Sequence, residues 1–181
     1  MTQAPPEASA QSPRSPKGWQ RPPFWRLDSL IATWFGAGLL PKAPGTWGSL
    51  AALPFAAAIV WLGGPWALLA AAVLLFLVGI WASAKYAGSR ADPGEVVVDE
   101  VVAQWLVIFP VALDLKLYLL AFVTFRVADI LKPWPANWAD RRIKGGLGIM
   151  LDDILAAPYA MVVCYLAWIW LGRNSCFPWT Y

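Results

Sequence analysis

The chain has no histidine among its 181 residues. That absence excludes Ser-His-Asp triads, histidine-ligated zinc sites and phosphohistidine intermediates. Acid–base work is left to Asp, Glu, Lys, Tyr or a metal-bound water. Cysteine is nearly absent: Cys164 and Cys176 offer no disulfide framework. Neither is followed six residues on by the arginine that a cysteine-dependent phosphatase loop requires. No Asp-x-Asp occurs, so the aspartyl-phosphate phosphatase signature is missing, and no glycine-rich stretch runs into the Gly-Lys-Ser/Thr of a P-loop.

Charge is also scarce. Charged residues make up 14% of the chain and hydrophobic ones 59%, against about 25% and about 45–50% in soluble domains. No Asp, Glu, Lys or Arg stands between Ala43 and Ala84, or between Ile154 and Gly172. About 20 apolar residues cross a bilayer core. The expected fold is therefore all-α, a multi-helix integral membrane bundle; an unusually apolar soluble bundle is the alternative. The opening residues lack the apolar core of a secretory signal. Rich in Pro, Ser, Gln and Arg, residues 1–24 read as a disordered basic arm. Residues 25–172 read as the helical membrane domain and 173–181 as a short tail.

What remains is organised by glycine, proline and charge. Trp25–Leu40 reads as a short interfacial segment and Pro41–Ser49 as a loop. Helices are expected over about Leu50–Leu62 and Trp66–Ala84, broken at Gly63-Gly64-Pro65 into a hairpin, then over Val101–Leu113 and Leu117–Leu131. Asn137–Ile149 reads as a charged glycine-rich loop, with Asp152 opening a last helix that ends near Gly172. Leu50–Leu62 and Val101–Leu113 fall short of a full span. Basic residues precede the first apolar run and follow each hairpin (Lys42, Lys85, Arg90, Lys132, Arg141, Arg142, Lys144). By the positive-inside rule these regions face the cytoplasm, and the C-terminus lies outside. The polar stretches, remote in sequence, should then meet at one membrane surface.

The acids come in pairs, Asp99-Glu100 and Asp152-Asp153, with Asp129 and Asp140 between. Helix capping needs one Asp per pair. A second adjacent carboxylate adds repulsion that a hard cation such as Mg²⁺ relieves. Arg126, Lys132, Arg141 and Lys144 are interleaved with these acids, a pattern suited to a metal plus a phosphate ester. Its bland counterpart is positive-inside signalling with surface ion pairs.

Four stretches carry a family resemblance: PGTWGS (Pro44–Ser49), DEVVAQW (Asp99–Trp105), FRVADILKPWP (Phe125–Pro135) and DRRIKGGLGIMLDDILA (Asp140–Ala156). In this order they resemble the bacterial phosphatidylglycerophosphatase A family. The resemblance runs from about Trp25 to about Leu171. It implies a Mg²⁺-dependent phosphatase of the inner membrane, multi-pass with a cytoplasmic site. Such an enzyme removes the terminal phosphate of phosphatidylglycerophosphate to give phosphatidylglycerol. On that reading Asp99, Glu100, Asp152 and Asp153 hold one or two Mg²⁺, and Asp129 or Asp140 orients the attacking water. Arg126, Lys132 and Arg141 neutralise phosphate charge. Thr46, Ser49, Gly145 and Gly146 belong to backbone that contacts phosphate. The membrane is the expected partner, and no nucleic acid is. Two rivals differ in class. A CDP-alcohol phosphotransferase would need an Asp-Gly opening and an Asp where Ala156 stands. A non-enzymatic scaffold or transporter would carry charges within its spans.

Overall fold

The computed structural model describes residues 20–111 and 113–170. The arm before Gln20, the tail over 173–181 and Cys176 lie outside the described residues. Among those described, every regular element is helical: α1 (Leu27–Ala32), a 3₁₀ turn (Ala37–Leu39), α2 (Pro44–Ala87), α3 (Val98–Ile108), α4 (Leu115–Leu131), α5 (Ala136–Arg142) and α6 (Gly145–Trp170).

The hairpin expected at Gly63-Gly64-Pro65 is present inside α2. Gly64 has φ 73° and ψ −178°, a conformation almost confined to glycine. The two arms fold back on each other there. Gly48 on the first arm packs against Val97, and Gly79 on the second comes near Val98. Both arms are thus level with the start of α3, and the Gly64 turn points away from it.

The expected loop over Pro41–Ser49 is corrected: the helix starts at Pro44. Proline suits the first helical position because its missing N–H has no partner to lose there. The added turn gives the first arm, residues 44–63, a length of roughly 30 Å, enough for a hydrocarbon core.

The arms face inward with small side chains and outward with large ones. Gly45, Gly48, Ser49, Ala52 and Ala56 form a buried stripe on the first arm, the small-residue spacing that lets helices approach closely. Trp61, Leu62, Trp66 and Leu74 point outward, and Leu62 is 77% exposed. Large apolar groups outside and small ones inside are what lipid, as solvent, permits. α2 and α6 are the two described helices long and apolar enough to cross a membrane.

α3 is the core. Val98, Val101, Ala103, Val107 and Ile108 are fully buried, and α3 packs against α2, α4 and α6. Trp105 Nε1 donates to the Ala52 carbonyl at 3.0 Å, tying α3 to α2. With 11 residues it rises only roughly 16 Å. The helix expected over Val101–Leu113 is therefore corrected: it starts earlier, at Val98, stops at Ile108 and is a short buried helix. Its C-cap is Phe109, whose ring meets Trp66 near the hairpin turn. α4 then returns toward the start of α3, its N-terminus capped by Asp114, which accepts from the Lys116 and Leu117 amides.

The last expected loop is also corrected. Asn137–Ile149 contains α5 and the first turn of α6, leaving Ile143-Lys144 between them. Asp152 and Asp153 therefore sit two turns inside α6 and cannot serve as its N-cap. The head of α6 lies against the end of α2, where Gly146 faces the Ile80 carbonyl and Ala84. Cys164 is buried within α6.

Candidate metal and phosphate site

Four chain segments meet at one end of the bundle. α3 contributes Asp99 and Glu100 from its first turn, and α6 contributes Asp152 and Asp153. α4 contributes Arg126 and Asp129, and the first two turns of α2 contribute Gly45 and Ser49. Carboxylate oxygens of Asp99, Glu100 and Asp153 lie within 4.8 Å of one another. Asp99 and Asp153 are buried, and Glu100 is nearly so. Asp129 sits beside Asp153. Arg126 Nη1 reaches Asp129 Oδ2 at 2.8 Å and Glu100 Oε1 at 3.9 Å.

One arginine does not balance this many acids. Burial first, then the charges of Glu100 and Asp153, push the Asp99 carboxyl well above the usual carboxylate range. Burial and the neighbouring Asp129 also raise Glu100, against the pull of Arg126. Glu100 Oε2 and Asp153 Oδ2 are buried and accept no hydrogen bond among the described residues. Buried acceptors of that kind are expensive to leave unmatched. A hard divalent cation matches all of these features: oxygen donors only, mutual repulsion and orphaned lone pairs.

Gly45 makes room for this cluster. A Cβ there would stand 2.1 Å from Glu100 Oε1 and 3.1 Å from Arg126 Nη1. Ser49 is buried. Its hydroxyl donates to the Gly45 carbonyl at 2.9 Å and accepts from Arg126 Nη1 at 3.4 Å. The PGTWGS turn thus braces Arg126 and Glu100. Thr46 is half-buried in the same turn, where its amide donates to the Ala43 carbonyl.

Asp152 turns the other way, into a polar cleft of about 190 Å³. Asp92, Asp140, Arg141, Lys144, Gly145 and Asp152 line it. Lys132 Nζ bridges the acids, 3.1 Å from Asp140 Oδ1 and 2.5 Å from Asp152 Oδ2. Burial opposes the lysine's charge, but the hydrogen bonds and charges of Asp152 and Asp140 outweigh it and raise its pKa. Lys132 is therefore a fixed cation.

The structure thus brings the sequence candidates into two adjoining compartments, with Asp152-Asp153 as the hinge between them. Asp99, Glu100, Asp129, Asp153 and Arg126 lie on one side. Lys132, Asp140, Arg141, Gly145 and Asp152 lie on the other. Gly146 stands apart. A Cβ there would lie 2.0 Å from the Ile80 carbonyl oxygen, so its small size serves the α6–α2 packing.

Two residues were missed by sequence reasoning. Asp92 lines the cleft and stands alone in the sequence, outside the paired acids. Gln104 is fully buried one helical turn beyond Glu100, and neither of its amide atoms has a protein partner among the described residues. A lone amide inside an apolar helix was a legible signal.

This fold and site define a helical membrane protein with a hard-oxygen cluster beside a polar cleft of mixed charge. The phosphatidylglycerophosphatase A family model matches residues 30–168, and the chain belongs to that family. It is 40% identical over 141 residues to phosphatidylglycerophosphatase A of Escherichia coli, covering 75% of this chain and 80% of that protein. It is 39% identical over 145 residues to the Haemophilus influenzae protein of the same name, covering 78% and 89%. A putative phosphatidylinositol-3-phosphatase of Bacteroides thetaiotaomicron is 38% identical over 165 residues, covering 83% and 98%. No solved structure matches the chain significantly.

Proposed function

We propose that the protein hydrolyses the terminal phosphomonoester of phosphatidylglycerophosphate, releasing phosphatidylglycerol and inorganic phosphate, with Mg²⁺ held by Asp99, Glu100 and Asp153. The observation that carries this reading is the buried three-carboxylate cluster abutting a cleft that presents Arg141 and Lys144 among its acids, in a chain of this family. A divalent ion bound there supplies positive charge to phosphoryl oxygens and acidifies a coordinated water.

The chain's own groups account for the rest. Arg126 holds Asp129 and Glu100 in place. Lys132, Arg141 and Lys144 offset the phosphate charge in the cleft as it shifts toward the departing oxygen in the transition state. Asp140 has one oxygen engaged by Lys132 and faces the cleft. On this reading Asp140 orients a water and takes its proton as the water oxygen bonds to phosphorus and the phosphorus–oxygen bond to glycerol breaks. Asp92 lies across the same cleft, where it can return a proton to the departing oxygen.

Three crossings suit the geometry: the two arms of α2, and α6. The site ends of all three lie together, because the head of α6 touches the end of α2. Lys42, Lys85, Arg90, Lys132, Arg141, Arg142 and Lys144 gather at that end, which the positive-inside rule assigns to the cytoplasm. The substrate's phosphate would meet the cleft at the lipid surface while its acyl chains stay in the bilayer.

The test is phosphate release by the detergent-purified protein, with Mg²⁺ and with EDTA. Substrates are phosphatidylglycerophosphate, phosphatidate and phosphatidylinositol 3-phosphate, the last because of the name of the Bacteroides relative. Mg²⁺-dependent release that is fastest from phosphatidylglycerophosphate and falls at least about 100-fold in Asp153→Asn supports the reading. Equal rates in EDTA, or preference for another headgroup, would sink the metal or the substrate assignment respectively.

A further inference from the structure

A second pocket, of about 330 Å³, opens between α4 and α6. Val123, Val127 and Leu131 form one wall, Tyr159, Ala160 and Val163 the other, and Pro133 stands at one end. Its lining is almost wholly carbon. From this groove we infer that the enzyme holds one acyl chain of its phospholipid substrate between α4 and α6. This rests on the proposed lipid phosphatase activity and assigns the part of the substrate that the polar site leaves unbound.

Three observations carry it. The first is continuity with the polar cleft. Lys132 stands between Leu131 and Pro133 of the groove, yet its ammonium is held by Asp140 and Asp152 of the cleft. On α6, Asp152, Ala156, Ala160 and Val163 follow one another at helical spacing, so one face runs from the cleft into the groove. Ala156 of α6 and Ala128 of α4 belong to one small buried apolar cluster where the two helices meet.

The second is length. From Asp152 to Val163 the helix rises roughly 16 Å. One leaflet of a hydrocarbon core is about half of ~30 Å. The groove therefore runs to the depth that a chain in one leaflet occupies.

The third is the mouth. Tyr159 Oη donates to the Trp134 carbonyl, pinning the α4–α5 connection over the end of the groove. Trp134 and Trp138 are exposed there beside Arg141 and Arg142. Exposed tryptophans with arginines mark the headgroup level of a bilayer. The cleft thus lies at headgroup depth and the groove descends from it, as phosphate and acyl chain do in a phospholipid.

The experiment compares phosphatidylglycerophosphate carrying two long chains with its dihexanoyl analogue, in mixed micelles, using the full chain. Ala160→Phe and Val127→Trp fill the groove. Each should raise KM for the long-chain substrate about 10-fold and leave kcat and the short-chain KM within about twofold. Val162→Phe, on an exposed face of α6 outside the groove, should leave both unchanged. In parallel, wild-type protein is irradiated with an analogue bearing a diazirine on one acyl chain. Adducts should concentrate at Val127, Ala160 and Val163. Adducts spread equally over outward positions such as Val73 and Leu74 would show unselective surrounding lipid and overturn the groove, as would variants that affect both chain lengths alike. The cross-linking result stands even if a variant fails to fold. If the wild type leaves phosphatidylglycerophosphate intact, the hydrolase reading fails; if it hydrolyses it with unchanged KM in both variants, only the groove does.

Discussion

Glu100 and Gly45 lie far apart in sequence and almost touch in space, and the carboxylate cluster depends on that contact. In Gly45→Ala the new methyl would meet Glu100 Oε1 at 2.1 Å, so Glu100 must swing out of the cluster. The expected result is Mg²⁺ affinity weaker by about 10- to 100-fold, the range for disturbed supports of metal ligands. Isothermal titration of the detergent-solubilised protein measures it; unchanged affinity would detach Gly45 from the site. The raised carboxyls of Asp99 and Glu100 give a second expectation. Their folded pKa values lie above the unfolded ones, so in metal-free protein the folded state binds more protons. Stability is then greatest below the ordinary carboxylate range and declines as pH rises through the folded values. Thermal unfolding in EDTA should show Tm falling from about pH 4 toward neutrality, and Mg²⁺ should flatten that slope. Lys132, raised in its turn, keeps its charge throughout this window.

At the scale of elements, two glycines do different work. Gly64 sits at the hairpin turn with positive φ, and no atom lies within 4 Å of the place a methyl group would take there. Gly64→Ala therefore adds backbone strain alone, roughly 1–3 kcal/mol. Gly146→Ala has no such backbone demand but would drive a methyl into the Ile80 carbonyl oxygen. That clash is with backbone, so α6 must move off α2, and the cleft moves with it. Both variants should lose thermal stability in detergent. Gly146→Ala should also lose phosphatase activity, whereas Gly64→Ala, far from the site, should keep its kcat. Equal activity in the two would mean that the α6–α2 contact does not position the cleft.

For the whole molecule, the three proposed crossings would put the Gly64 turn on one side of the membrane and all four site segments on the other. Single cysteines introduced at Leu62, Ser89 and Arg142, in a background without Cys164 and Cys176, test this with an impermeant thiol reagent. Ser89→Cys and Arg142→Cys should label from the cytoplasmic side and Leu62→Cys from the opposite side. Labelling of Leu62→Cys and Ser89→Cys from one side would remove the first two crossings.

Much of this was legible from residues in order. The uncharged run from Ala43 to Ala84 specified an apolar hairpin, and Gly63-Gly64-Pro65 specified its turn, because burial in lipid excludes charge and a reversal needs a backbone only glycine adopts readily. The paired acids and interleaved bases marked the site's chemistry, since adjacent carboxylates repel each other and, once buried, demand a counter-charge. Helix ends were less legible. Pro44 and Gly45 read as loop residues, yet helix there lets Gly45 and Gly48 pack closely against α3. Asp152 read as the start of the last helix because Asp suits helix starts, whereas Gly145 begins that helix two turns earlier. Sequence alone determined an apolar helical protein with a carboxylate and phosphate chemistry. Only the tertiary structure decided that Asp153 faces Asp99 and Glu100 while Asp152 faces Lys132. Adjacent residues on a helix point about 100° apart, and which compartment each enters depends on how α6 crosses α2 and α4.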